Sequence, residues 1–295
     1  MSHTMLNTIQ SPLTEAGLQV SDVSKGHYFE VGSGFSAHSF RHTDYAGLMD
    51  PLIMVDHYTM SKPTFGAHPH AGLAAVSLLF EDSEGQFHNR DSMGNDFDLL
   101  PGDLYWLTAA GGAVHDESPR PGSVTHGLQV FVNLPDKMKQ GAPDSTLVRR
   151  EDMPVIENAS CRVRIAMGRC NGLVGTTAPL ADMTILEGTI NPSSVFAYQP
   201  ELAHNTWLYA VDGTIEVVFA NRAITLNKGE SVAIGNTDAQ LNLHNRQSGK
   251  ARFALFSGRA IKEHFIQQGP FAMASEQQII QARKDFAAGK FGRVE

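Results

Sequence analysis

Short apolar runs alternate with polar turns along most of this 295-residue chain. The apolar runs are rich in Val, Leu, Ile and Phe, as in AAVSLLF, DLYWLT, GLQVFVNL, TWLYAV and IEVVFA. Glycine, proline and polar residues mark the turns between them, as in DSEGQ, LLPGDL, AAGGAV, VDGT and NKGE. Many short strands separated by turns at this spacing are typical of β-sandwiches and β-barrels. We therefore predict an all-β fold.

The same order of strands and turns occurs twice. The segment HPHAGLAAVSLLFEDSEGQFHNRD, followed by LLPGDLYWL, has a strand, an acidic glycine turn, a second strand, a proline-glycine turn and a third strand. The segment AHNTWLYAVDGTIEVVF, followed by TLNKGESVAIG, repeats that order. Two copies of one β-barrel unit fit the chain length. We predict a first barrel in residues 1–135, a connection in 136–180 and a second barrel in 181–295.

The apolar pattern becomes helical only near the end of the chain. The segment SEQQIIQARKDFAAGKFG begins with Ser275, and Gln278 three residues later completes a capping-box signature. Ile279, Ala282 and Phe286 fall on one face of the predicted helix. We predict a short C-terminal helix that docks on a sheet and carries no chemistry.

Composition and charge argue against several classes of protein. The 23 basic and 31 acidic side chains give a formal net charge of −8, which disfavours direct binding of nucleic acid or an anionic membrane. Cys161 and Cys170 are too few for a disulfide scaffold, so reduced thiols are expected. The segment MSHTMLNTIQSPL lacks the basic and apolar regions of a signal peptide, and no apolar run is long enough to span a membrane. We expect a cytoplasmic protein.

Two short segments carry histidines at a spacing that suits a metal site. In FGAHPHAG, His68 and His70 lie two residues apart, and in GGAVHDES the same spacing separates His115 from Glu117. On an extended strand, residues i and i+2 point to the same side. Each pair would therefore present both of its side chains together, whereas Asp116, the nearest rival carboxylate, would face away. A small barrel can bring the two segments side by side.

The predicted site is thus three imidazoles and one carboxylate around one transition-metal ion. Imidazole binds Fe, Cu, Ni, Zn and Mn, and a carboxylate favours the harder members of that set. Four protein ligands on an octahedral ion leave two positions for water, O₂ or substrate. In the second barrel, His204 and His244 have no partner at this spacing, so that barrel is predicted to lack a metal.

Several segments of the chain resemble those of a known family. The segments HPHAG, FHNRDSMGN, PGDLYWLTAAGGAVHDE, LQVFVNLP and QQGPFAMASEQQIIQARKDFAAGKFG are similar to those of the pirin family, a branch of the cupin superfamily. The resemblance runs from about His68 to Gly292. It implies a bicupin, that is, two jelly-roll cupin barrels in tandem with one metal ion, usually iron, in the N-terminal barrel. It assigns the ligands to His68, His70, His115 and Glu117.

The sequence departs from the family pattern beside the first histidine pair. Many pirins continue there with Arg-Gly-Phe-Glu-Thr, whereas this chain has Ala71-Gly72-Leu73-Ala74-Ala75. Ala74 stands where general cupins often carry a glutamate ligand, which leaves Glu117 as the carboxylate of the site. Asp116 also stands where many pirins have serine. Three polar side chains near the metal are therefore replaced by alanine, so the substrate of other family members does not transfer directly to this chain.

The resemblance implies two kinds of function. Some pirins are quercetin 2,3-dioxygenases, which open a flavonol ring with O₂ and release carbon monoxide. Others are redox-sensitive regulators that act on transcription or metabolic enzymes through protein partners. We predict a metal-dependent dioxygenase that takes O₂ and a small aromatic or enol substrate, with Fe²⁺ as the expected ion and Mn, Ni, Cu or Zn as alternatives. A redox-sensing, iron-binding regulatory protein is the alternative function.

Further residues are candidates for the substrate pocket and the chemistry. Phe65, Trp106 and Gln129 could line a pocket over the metal, and His88 could orient a ligand or substrate. Aromatic residues on barrel strands more often belong to the core, and packing and hydrogen bonding are the favoured role of His88. Glu117 is the predicted catalytic residue, since it could remain a metal ligand or take the proton of the substrate hydroxyl as a general base.

Overall fold

The alternating runs of the sequence form β-strands in a computed structural model that describes residues 17–179, 182–235 and 237–294. The strands make two barrels, and a single α-helix follows them in the described ranges. This confirms the predicted all-β fold of two tandem jelly-roll barrels with a C-terminal helix. The segment MSHTMLNTIQSPL, on which the prediction about a signal peptide rests, lies outside the described residues. No helix in those ranges combines the length and hydropathy that crossing a membrane requires.

The first half of the chain supplies twelve described strands and three short 3₁₀ helices, at His42–Tyr45, Asp136–Met138 and Arg150–Asp152. The strands are β1 (Gln19–Val20), β2 (His27–Val31), β3 (Phe35–Arg41), β4 (Leu52–Met60), β5 (His68–His70), β6 (Leu73–Leu79), β7 (Phe87–Asp91), β8 (Asp96–Leu99), β9 (Leu104–Thr108), β10 (Ala113–Pro119), β11 (Thr125–Asn133) and β12 (Asp144–Val148).

The second half supplies the remaining described strands and the helix α1 (Glu276–Ala287). The strands are β13 (Val155–Glu157), β14 (Cys161–Met167), β15 (Arg169–Cys170), β16 (Leu173–Val174), β17 (Thr184–Ile190), β18 (Ser194–Tyr198), β19 (His204–Asp212), β20 (Ile215–Phe219), β21 (Arg222–Leu226), β22 (Ser231–Gly235), β23 (Leu241–Asn245), β24 (Ala251–Arg259), β25 (Ile266–Gln268) and β26 (Phe271–Met273).

Each barrel pairs a seven-stranded sheet with a four-stranded one. In the first barrel the orders are β12-β9-β6-β11-β4-β3-β2 and β5-β10-β7-β8. In the second they are β1-β22-β19-β24-β17-β14-β13 and β18-β23-β20-β21. The pairings of neighbouring strands within all four sheets are antiparallel. The four-stranded sheet of the first barrel contains both strands on which the histidine pairs lie.

The strands divide the chain differently from the predicted boundaries. The predicted connection, 136–180, contains β12, which extends the large sheet of the first barrel, and β13 and β14, which belong to the second barrel. Residues 19–20, predicted for the first barrel, pair with β22 of the second. An added strand satisfies the exposed backbone groups of a sheet edge, which gives a physical reason for these exchanges.

The two seven-stranded sheets pack face to face through a shared apolar core. This core contains alternate residues of β6, β9 and β11 from one barrel and of β19, β22 and β24 from the other, including Trp106, Trp207 and Phe256. The central strands β6 and β9 of the first barrel's large sheet are therefore buried on both faces. On β6, Ala74 points into the shared core, whereas Ala75 and Ser77 point into the first barrel.

The C-terminal segment returns to the first barrel and packs beside β5. Ser275 accepts a hydrogen bond from the Gln278 backbone N–H, as the capping signature predicts, although the Gln278 side chain receives its bond from Ala274 rather than from Ser275. Ile279 and Ala282 are buried against the first barrel, while Phe286 is 40% exposed. We call residues 266–287 the C-terminal arm.

Two features fasten this arm next to the histidine strand. Gly72 has a φ of +75°, and a Cβ built on it would lie 2.0 Å from the Ala272 carbonyl oxygen, so only glycine fits there. The buried Lys139 ammonium donates to the carbonyl oxygens of Gly72 and Ala272 and to Asn133 Oδ1, at 2.6–2.8 Å. The arm therefore forms part of the wall that positions β5.

Candidate metal centre

The three predicted histidine ligands meet on the four-stranded sheet of the first barrel. Strand β10 pairs antiparallel with β5 in a register that sets His115 opposite His68. His115 Nε2 lies 3.0 Å from His68 Nε2 and 3.0 Å from His70 Nε2. The two-residue spacing of the sequence therefore does place both imidazoles of β5 on one side, against the imidazole of β10.

The hydrogen bonds of the outer ring nitrogens fix which nitrogens carry protons. His68 Nδ1 lies 2.8 Å from the Gly66 carbonyl oxygen, and His70 Nδ1 lies 3.3 Å from the Pro270 carbonyl oxygen. Because a carbonyl only accepts, both Nδ1 atoms are the donors, and both Nε2 atoms present lone pairs. Carbonyl oxygens that orient imidazoles in this way are the usual outer support of histidine metal ligands.

These residues fit a transition-metal ion. Two nitrogens bound at right angles, each about 2.1 Å from an ion, would lie about 3.0 Å apart, which is the observed spacing. Without a cation, the lone pairs of His68 and His70 converge on His115 Nε2, which can donate to only one of them. Burial lowers the pKa of His70 to about 3 and that of His115 well below its usual range, so both stay neutral and available as ligands.

Glu117 lies beside the three histidines, on the side that strand parity predicts. Its Oε2 is 3.9 Å from His115 Nδ1, but its oxygens fall outside the set of ligand atoms that lie within 4.8 Å of one another. Burial raises the pKa of Glu117 to about 7. Asp116 faces the other way and pairs with Arg90, with an N–O distance of 2.6 Å. Ligation of the metal by Glu117 therefore stays a proposal.

A short polar network, which the sequence analysis missed, holds the Glu117 carboxyl group. Ser77 Oγ lies 2.5 Å from Glu117 Oε1 and 2.8 Å from Gln129 Oε1. A hydroxyl donates only one proton, so the Gln129 amide must turn its NH₂ toward Ser77 whenever Ser77 donates to an ionised Glu117. The signal for Ser77 was present in the sequence, as the one polar residue of the apolar run AAVSLLF.

The histidines and Glu117 open into a cavity of about 370 Å³ inside the first barrel. Phe65 and Gln129, two of the four residues predicted for the pocket, line it. Most of its remaining wall is apolar, with a few polar groups. The other lining residues are Phe35, Met54, Met60, Phe87, Phe131, Gly269 and Pro270, together with the polar residues Arg41, Asp56, Tyr58 and Gln267.

The other two residues predicted for the pocket lie elsewhere. Trp106 is fully buried in the core between the barrels, because even positions of β9 face that core, and its Nε1 donates to Thr108. His88 faces the outside of β7, where its Nε2 lies 2.7 Å from Asp96 Oδ1. Both corrections follow from the face of the strand that each residue occupies.

Two polar groups of the cavity wall were not found from the sequence. The hydroxyl of Tyr58 and Oδ1 of Asp56 are buried and have no hydrogen-bond partner within the described part of the chain. Both residues lie on β4 at a spacing of two, so both face the cavity. Burial raises the pKa of each group. A bound ligand or water can satisfy these atoms.

Comparison with known proteins finds matches to pirin family models over both barrels. Residues 20–132 match the family model described as Pirin, and residues 185–292 match that of the Pirin C-terminal cupin domain. A pirin-like protein from Solanum lycopersicum is 30% identical over 245 residues, which cover 83% of this chain and 82% of that protein. Pirin from Homo sapiens is 27% identical over 253 residues, which cover 83% of each.

Solved structures share the architecture. A quercetin 2,3-dioxygenase from Acinetobacter baumannii superposes with a TM-score of 0.82 at 22% identity, covering 95% of this chain and 100% of its own. Bacterial pirin YhhW from Escherichia coli, solved in complex with nickel(II), has a TM-score of 0.62 at 14% identity, covering 82% of this chain and 99% of its own. At such identities the two structures support the fold alone.

Proposed function

We propose a function for this chain, which belongs to the pirin family of the cupin superfamily. The proposed function is that of a metal-dependent dioxygenase that cleaves a flavonol or a related enol with O₂. The observation that carries the proposal is the convergence of imidazole lone pairs and a buried carboxyl group on the wall of a largely apolar cavity. Small-molecule sites commonly combine apolar walls with a few polar groups in this way.

His68, His70 and His115 would hold the ion, with Glu117 as the fourth ligand or as a base beside it. Fe²⁺ is the ion we propose, and the same donor set also binds Mn, Ni, Cu and Zn. Bound there, a redox-active metal supplies the path by which electrons pass between the substrate and O₂. Bacterial pirin YhhW, which shares this fold, was solved in complex with nickel(II), and this is in keeping with a transition metal here without identifying the ion.

The protein's own residues bind the substrate and move its proton. Aromatic and methionine side chains such as Phe35, Met54 and Phe131 offer a flat apolar surface for an aromatic ring. Glu117 accepts the proton of the enol hydroxyl, because a carboxyl group with a pKa of about 7 is a suitable base near neutral pH. Ser77 keeps that carboxyl group oriented through its hydrogen bond.

The test is metal-dependent O₂ consumption. Full-length protein loaded with Fe²⁺ is assayed in an oxygen electrode against flavonols and other enol ketones. We expect consumption with the wild type, and loss of turnover with a retained fold in Glu117→Gln, because an amide cannot accept the proton. Asp116→Asn is the matched control, since that carboxylate faces away from the cavity, and it should keep turnover.

Two results would decide against the proposal. Wild-type protein that consumes no O₂ with any substrate of the panel, although it binds iron, is not a dioxygenase of this class. If the same protein captures a partner protein in only one oxidation state of the metal, the regulatory alternative replaces the enzyme.

A further inference from the structure

A second group of metal-binding side chains lies at one edge of the second barrel, where the sequence predicted none. His204 is the first residue of β19, Glu201 lies three residues before it, and Asp182 lies two residues before β17. One ligand atom from each of the three residues lies within 4.8 Å of the other two. Sequence spacing could not reveal this group because Asp182 comes from a different loop.

The imidazole of His204 is buried and lacks the hydrogen bonds that such a ring requires. His204 is 1% exposed, and neither its Nδ1 nor its Nε2 has a hydrogen-bond partner among the residues that the structure describes. A neutral imidazole has one donor and one acceptor, and buried polar atoms of native proteins are nearly always satisfied. An unsatisfied lone pair aimed at two carboxylates therefore calls for a ligand.

The carboxylates present one oxygen each to His204. Glu201 Oε2 and Asp182 Oδ2 both lie 3.9 Å from His204 Nε2, which is too long for a hydrogen bond. The opposite oxygens, Oε1 and Oδ1, are held by Arg169 at 3.0 Å and 3.4 Å. Arg259 also approaches Asp182 Oδ2, at 3.7 Å. Carboxylates that bind metal are commonly held from behind in this manner.

We propose that His204, Glu201 and Asp182 form a second cation site, of the zinc class, that ties the segment before β17 to the start of β19. A tetrahedral zinc ion holds nitrogen and oxygen ligands roughly 3.4 Å apart. Each of the two distances from His204 Nε2 to a carboxylate oxygen, now 3.9 Å, would therefore shorten by about half an ångström. An imidazole among the ligands favours zinc over calcium and magnesium, which take oxygen ligands. Three protein ligands leave the fourth position to water.

The two arginines do not exclude the ion. Arg259 is 59% exposed, and its long side chain can move away from Asp182 Oδ2, the oxygen that faces His204. Arg169 contacts the outer oxygens, Glu201 Oε1 and Asp182 Oδ1, and so leaves the oxygens that face His204 free to bind zinc. This site is separate from the proposed dioxygenase centre, which lies in the other barrel, so either can fail without the other.

The test is the number of zinc ions that the full-length protein binds. Chelator-treated wild type and the double variant Asp182→Ala/Glu201→Ala are compared by equilibrium dialysis against Zn²⁺. We expect the wild type to bind one more equivalent of Zn²⁺ per chain than the double variant. Both carboxylates are at the surface, so the variant should fold, and circular dichroism checks that it does.

Glu216→Ala is the matched control, because it removes a carboxylate that pairs with Arg246 in the same barrel, away from His204. It should keep the wild-type stoichiometry. A double variant that binds as much Zn²⁺ as the wild type overturns the proposal, as does an equal loss of Zn²⁺ in the Glu216 control.

Discussion

Replacing Glu117 by glutamine should stabilise the metal-free protein while it weakens metal binding. Burial raises the pKa of Glu117 from 4.5 to about 7 in the folded chain. At about 1.4 kcal/mol per pKa unit, keeping this carboxylate ionised costs about 3 kcal/mol of folding free energy. Glutamine has the same shape, avoids that cost, and its side-chain oxygen still accepts the hydrogen bond from Ser77.

The sign of the effect depends on pH. A group whose pKa is raised on folding binds more protons in the folded state, so stability falls as pH rises from about 4.5 to about 7. Wild type and Glu117→Gln should therefore have similar thermal midpoints at about pH 4.5. At about pH 8 the metal-free variant should melt on the order of 5–10 °C higher.

The assay is thermal unfolding of both proteins in chelator at several pH values, followed by the same scans with added metal. Added metal should reverse the order, because the ion stabilises the folded form that binds it and Glu117 is a proposed ligand. Asp116→Asn, with its carboxylate outside the cavity, should show a much smaller pH-dependent effect and no loss of metal stabilisation, because its charge only adds to the burial that raises the pKa of Glu117. A Glu117→Gln variant no more stable than wild type at high pH, or shifted equally at every pH, would refute the reasoning.

Three further substitutions test the centre and the arm that supports it. His115→Ala should abolish the metal content measured by elemental analysis, because this imidazole lies between the other two. Full metal occupancy in the variant would show that the proposed ligand set is wrong. Lys139→Met should lower stability by about 2–4 kcal/mol and speed proteolysis of the C-terminal arm, because three buried oxygens lose their hydrogen-bond donor. Lys137→Met should do neither, because Lys137 is exposed. Gly72→Ala should lower both metal occupancy and stability, because the added Cβ would collide with the C-terminal arm. Gly94→Ala, also at positive φ but with open space around it, should cost only ~1–2 kcal/mol and keep the metal. Equal losses in both variants would show that the collision with the arm is not the cause.

Features that depend on local periodicity could be predicted from the sequence alone. Side chains two residues apart share a face of any strand, so the spacing of His68, His70, His115 and Glu117 was sufficient to place each pair on one side. The turn residues and the repeat gave two barrels, and Ser275 marked the start of the helix. These features depend on interactions within a few residues, which is why they can be derived without the tertiary fold.

The face of each strand that lines the cavity could not be predicted in this way, because it depends on how the sheets pack together. Strands β6 and β9 of the large sheet are buried on both faces, so runs such as DLYWLT have no polar alternation to distinguish the two sides. Trp106 therefore lies in the core between the barrels, whereas Tyr58 lines the cavity and Ser77 lies inside the first barrel beside Glu117.

The same limit applies to contacts between distant segments. The C-terminal arm beside His70, the strands exchanged between barrels, and Asp182 beside His204 all join residues far apart in the chain. Such contacts are selected by the total burial of apolar surface and pairing of backbone groups, and no short stretch of sequence carries that information.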